Sequence, residues 1–173
     1  MRFYSNLIIN DNLLKQLYSY IEKDTIPHAL LFHGNEGVGK FAHAIEFANM
    51  LLSKTETKEK VFKKVKNNQH HNINYILPLP KNKSISKNDA AIKALTSKDM
   101  DNIHNQIKSK LNDPYYTISI DKANTILINS IRDIKKKINL SRFNENYNIH
   151  IILDAEKLCY PKNESANALL KIL

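Results

Sequence analysis

The run His28-Ala29-Leu30-Leu31-Phe32-His33-Gly34-Asn35-Glu36-Gly37-Val38-Gly39-Lys40-Phe41 decides how this chain is read. Gly34, Gly37 and Gly39 are the only three glycines in 173 residues. Their spacing, G-x-x-x-x-G-K, is that of a phosphate-binding loop, in which successive backbone N–H groups surround an anion and the lysine reaches the outer phosphates. His28–His33, short, apolar and preceded by Pro27, has the pattern of a buried parallel strand. From Lys40 to Leu52 the residues Phe41, Ala44, Ile45, Ala48, Met50, Leu51 and Leu52 make a wide apolar helical face. Strand, glycine loop and helix in that order are the setting the motif requires.

The motif normally closes on serine or threonine, whose hydroxyl holds the Mg²⁺ that offsets charge between the β- and γ-phosphates. Here Phe41 stands in that place, and a phenyl ring cannot coordinate a cation. Gly34 to Lys40 can still surround a phosphate, helped by the positive end of the following helix. The sequence therefore predicts a degenerate phosphate or nucleotide site at Gly34, Gly37, Val38, Gly39, Lys40 and Phe41, with no catalytic residue. A strand-to-helix turn kept for its geometry alone is the alternative.

The second half of such a site is an apolar strand that ends in an aspartate, which orients Mg²⁺ or its water. Asn148-Ile149-His150-Ile151-Ile152-Leu153-Asp154 fits, with Asp154 in the role of that carboxylate. Aspartate also begins turns, so the weight comes from the pairing with the glycine loop. Hydrolytic members of one large group place a glutamate next, to polarise the attacking water. This chain has Ala155 there, and Glu156, one place further on, points in a different direction at a strand end.

Elsewhere, Asn12 to Lys23 spaces Leu13, Leu14, Leu17, Tyr18 and Ile21 as an amphipathic helix with Asp11 as N-cap. The lysine-rich polar segment at about 53–72 reads as a solvent-exposed helix leading to a loop, with His70-His71 an exposed polar pair rather than metal ligands. Ile73–Leu77 reads as a strand. The stretch at about 78–96 reads as a loop, mobile over Lys81 to Asn88. One helix is expected from Lys98 to Leu111 and another after Ser119 or Asp121, aligning Ala123, Ile126, Leu127, Ile131, Ile134 and Ile138. Lys135-Lys136-Lys137 on the far face of the latter is the pattern of a solvated face, with DNA contact the minority reading.

The length suits one domain, and neither an apolar run of about twenty residues nor a signal-peptide shape is present. The lone Cys159 excludes an internal disulfide and a multi-cysteine zinc site. A soluble cytoplasmic protein without membrane association is expected. The net charge of +9 invites a nucleic-acid reading, yet arginine occurs only at Arg2, Arg132 and Arg142. Abundant lysine, asparagine and isoleucine together also follow from an A+T-rich genome.

Four segments together resemble the AAA+ clamp-loader family of bacterial DNA polymerase III, and within it the delta-prime type. Ile26–Gly34 is similar to the family's "PHA-LF-G" strand into the phosphate loop. Asp11 to Lys23 lies where the family has a helix after an "IGQ" segment, although Ile8-Ile9-Asn10 departs from that signature. Ile151–Leu158 is similar to "IIDEADKL", and Glu164–Leu173 to the "AANALLKTLEEPP" helix, the most specific of the four.

The resemblance implies a P-loop (AAA+) Rossmann-like α/β fold, three-layered with a central parallel sheet, over one domain at 1–173. On this resemblance the family's sensor, Ser-Arg-Cys, lid and collar segments would follow Leu173, which implies a chain truncated at its C-terminus. It also implies a non-hydrolysing stator that helps load the sliding clamp onto primed DNA, with gamma/tau-type and delta-type subunits as partners. Phe41 and Ala155 agree with delta-prime, which often has a degenerate loop; weakly bound ATP or ADP is the implied ligand. An active gamma/tau-type ATPase is the rival. The family's cysteine zinc module is not carried over, because Ser53 to Asn72 contains no cysteine.

Overall fold

The structure is a computed structural model that describes residues 2–140 and 147–173, so Arg142 lies outside the described residues. It is an α/β arrangement of six helices and a two-stranded parallel sheet among those residues. The chain divides into two compact units. One comprises Met1–His71 with Ile107–Thr117, and the other Asn72–Gln106 with Ile118–Leu173.

The first unit is built on helices α1 (Asp11–Glu22), α2 (Lys40–Leu52) and α3 (Lys58–Lys66). Its centre is α2, which starts at the residue the sequence pattern gives. Ala42, Ile45, Ala48 and Leu52 on it are buried, and it packs against both α1 and α3. The cap of α1 is Asn10, whose side chain accepts the Leu13 N–H at 3.1 Å. Asp11 is instead the first helical residue, where its charge still favours the helix N-terminus. The solvent-exposed helix expected after Ser53 is corrected in α3: Val61 and Val65 are 0 % and 1 % exposed. Two valines four residues apart suffice to seat a short lysine-rich helix on its neighbour while the lysine heads reach water.

His28–His33 is not a strand. It runs as irregular chain, with Leu30 and Leu31 37 % and 79 % exposed. A short apolar run carries a strand's pattern, but only ladder partners make it one.

In the second unit, β1 (Ile73–Ile76) pairs in parallel with β2 (Ile149–Ile152), Ile73 opposite Ile149 and Ile76 opposite Ile152. Parallel strands need a long crossover, here carrying α4 (Ser97–Asn112) and α5 (Ile128–Leu140). α4 begins in the second unit and ends, from Ile107, in the first. The residues expected to open α5, Ala123, Ile126 and Leu127, are buried but precede the helix. Ile76, Ile126, Ile131, Ile134 and Leu158 form the core cluster, covered by Ile152, Ala155 and side chains of α6 (Glu164–Leu170).

Candidate functional site

Three left-handed backbone positions shape the glycine loop: Gly34 at φ 145°, Gly37 at φ 80° and Gly39 at φ 79°. Side-chain-bearing residues rarely take such values, which accounts for glycine at all three. Gly39 is also the N-cap of α2 and offers no side-chain cap. A helix that begins on a glycine, with no cap side chain at that position, leaves room for an anion at its N-terminus.

Lys40 folds back over the loop. Its Nζ donates to the carbonyl oxygens of Gly34 at 2.9 Å and Asn35 at 2.8 Å, tying the end of the loop to its beginning. An ammonium has three donors, so two set its position and one is left for a ligand. Phe41, beside it, is half-buried with its ring 5.9 Å from the Lys110 ammonium. Lys110 in turn donates to the carbonyl of Pro114 at 2.9 Å and to that of Tyr116, and burial lowers its pKa. The ring thus serves as packing and a cation–π partner where the motif has a metal ligand.

His43, which the sequence pattern did not single out, braces this loop. It is 2 % exposed, with Nδ1 2.8 Å from the Gly39 carbonyl and Nε2 accepting the Asn10 N–H at 3.3 Å. Both bonds are satisfied by the neutral tautomer that carries its hydrogen on Nδ1. One imidazole therefore links the loop's last glycine to the cap of α1. A histidine four residues after the cap glycine is the signal that would have found it.

Asp154, in the second unit, follows β2 in a left-handed conformation, φ 50° and ψ 52°, and opens a 3₁₀ turn over Ala155–Cys159. The Leu153 N–H extends the parallel ladder to the Ile76 carbonyl at 2.8 Å. The Asp154 carboxylate, 54 % exposed, is paired with Lys157 at 3.2 Å. Ala155 packs against the apolar cluster, so a glutamate there would meet hydrocarbon. Gly34, Gly37, Val38, Gly39, Lys40 and Phe41 belong to the first unit and Asp154 to the second.

The exposed histidine pair is half corrected. His71 is exposed, but His70 is 5 % exposed, 3.3 Å from Glu56 and stacked on His71. Burial lowers the His70 pKa despite that carboxylate, which Lys64 also holds at 2.7 Å. No group of three histidine, cysteine or acidic side chains that could hold a metal occurs among the described residues.

With this geometry in place, one comparison is decisive. The protein-family model described as "DNA polymerase III, delta subunit" matches residues 9–173. The chain belongs to the DNA polymerase III delta-subunit family. Membership makes it a clamp-loader-type component of DNA polymerase III and implies contacts with other components of that loader. The matched region of this delta-subunit family member includes the glycine loop, β2 and Asp154. No curated protein and no solved structure matches the chain. None of its helices, over the described residues, is long and apolar enough to cross a membrane.

Proposed function

We propose that this chain is a stator of the clamp loader, of the delta-prime type, which keeps a phosphate cradle but does not hydrolyse ATP. In that role it contributes a P-loop AAA+ domain to the assembly in which gamma/tau-type subunits turn over nucleotide, and it meets primed DNA through the assembly. The observation that carries the reading is the state of the loop. Lys40 is fixed on the Gly34 and Asn35 carbonyls and the α2 N-terminus has no side-chain cap, which supports anion binding, while Phe41 at the metal position is turned to Lys110. Binding and hydrolysis are thereby separated, because the cradle is made of backbone donors and hydrolysis needs Mg²⁺ and a water-polarising acid.

Gly37, Val38, Gly39 and Lys40 line the proposed cradle, and Asp154, after β2, keeps the strand-end carboxylate role that the sequence pattern gives it. Asp154 in its pair with Lys157 has a cation already beside it, in keeping with a site that needs no metal. ATP and ADP are the proposed ligands. A titration of ATP into the chain by calorimetry is expected to give the same affinity with Mg²⁺ as with EDTA, and Lys40→Ala to weaken it at least tenfold. Radiolabelled ATP is expected to turn over no faster than with Lys40→Ala. Turnover above that control, or binding that requires Mg²⁺, favours the gamma/tau-type ATPase instead. Phe41→Thr is the informative gain-of-metal variant, since it restores the hydroxyl without placing a charge in the core as Ala155→Glu does.

A further inference from the structure

The stretch 78–96, polar enough to read as a loop, is fixed in place around a groove in the second unit. Asn129 of α5 donates to the carbonyls of Ser86 at 3.0 Å and Asp89 at 2.7 Å, and Asp133 accepts the Ala91 N–H at 2.9 Å. The Ala94 carbonyl receives the N–H groups of both Asn82 and Lys83, at 3.2 and 3.1 Å. Asp99 closes the other side on Asn82 Nδ2 and the Thr96 N–H, each at 2.8 Å. These bonds hold open a groove of about 510 Å³, within the size range of sites that hold a ligand.

Its floor is apolar, and its rim carries Lys83 and the Lys93–Asp89 ion pair. Ile85, Ile92, Leu95 and Met100 line it beside Lys83, and Ile92 is 56 % exposed on a 3₁₀ turn. Methionine adapts its shape to different occupants. Of the charged side chains in the lining, Asp89 and Lys93 pair with each other at 2.7 Å, and Asp89 also accepts the Ser86 N–H at 2.8 Å, which leaves Lys83 to set the sign of the groove. The remaining field at the groove is positive. Nucleic acid is the weaker match, because a phosphate backbone gains nothing from four apolar side chains and the lining contains no arginine.

We propose that this groove docks a short acidic peptide segment bearing aliphatic side chains, presented by a partner protein. The aliphatic side chains enter between Ile85, Ile92, Leu95 and Met100, and the carboxylates meet Lys83. The site is separate from the phosphate cradle and stands or falls independently of nucleotide binding. A fluorescein-labelled peptide alternating aspartate with leucine, titrated with the full chain by fluorescence anisotropy, is expected to bind in the micromolar range. Lys83→Glu and Ile92→Asp, both on exposed side chains, should each weaken it at least fivefold with the circular dichroism spectrum unchanged; Lys83→Glu suffices should the other fail to fold. A peptide with serine in place of leucine should bind at least fivefold more weakly than its parent. The proposal is overturned by absence of binding, by equal binding of the serine peptide, or by a short DNA duplex that binds more tightly and loses affinity in Lys83→Glu but not in Ile92→Asp.

Discussion

Two glycines with the same backbone angle separate the two reasons for having glycine. Gly37 and Gly39 sit at φ 80° and φ 79°. A Cβ on Gly37 meets no atom within 4 Å, whereas one on Gly39 would lie 2.9 Å from Leu7 Cδ1 and 3.4 Å from His43 Nδ1. Gly37→Ala should therefore cost only the left-handed backbone term of about 1–2 kcal/mol. Gly39→Ala should cost somewhat more, since the tip of the Leu7 side chain must also shift, while His43 stays at ordinary contact distance. Urea unfolding of the two variants checks this, and equal midpoints would remove the packing role of Gly39. The motif spacing made both positions legible as glycine, because the loop's backbone demands are local. It could not reveal Leu7 and His43, which reach the loop from another segment and from the inner face of α2.

At the scale of elements, most helices and the two strands that pair in parallel, β1 and β2, were legible, whereas the run before the glycine loop was not. The period of apolar residues located α1, α2 and α4 within a residue or two, since helical hydrogen bonds close within the segment that carries the pattern. The strand expected at His28–His33 needed partners from elsewhere in the chain, which its own composition cannot specify. Likewise, the loop expected to be mobile over Lys81–Asn88 is held by Asn129, Arg132 and Lys136, residues 43 to 48 positions away from the groups they bond. The cap of α1 gives the sharpest test at this scale. Asn10→Ala removes the bond to the Leu13 N–H and should cost about 1 kcal/mol, while Asp11→Ala loses only a helix-dipole contribution of about 0.5 kcal/mol. Thermal melts that rank the two the other way would return the cap to Asp11. In the second unit, Asn129→Ala should free the 81–88 wall, seen as faster tryptic cleavage at Lys83 and Lys87.

For the whole molecule, the balance of buried ionisable groups sets how stability changes with pH. His150 on β2 is the largest contributor: burial first, and then the Lys137 ammonium, push its pKa down from 6.5 to about 4. Neither of its ring nitrogens has a hydrogen-bond partner among the described residues, so nothing there offsets the cost of charging it. His70 is lowered in the same direction by burial. A histidine with a depressed folded pKa binds its proton more readily in the unfolded chain, so its contribution is fully present above pH 6.5 and is lost as pH falls from there toward 4. Glu46 opposes them: burial raises its carboxyl above the usual 4.5 although it accepts the Phe3 N–H, so folding retains a proton there and gains as pH falls. The histidines act over the wider window, and the net charge of +9 makes each added proton more costly. Stability measured by urea unfolding should therefore rise between pH 4 and 6.5, with His150 contributing up to about 3 kcal/mol at about 1.4 kcal/mol per pKa unit. His150→Leu fills the same space with a group that cannot charge, so it should flatten that slope. An unchanged slope in His150→Leu would mean that the imidazole on β2 is not what makes the fold acid-sensitive.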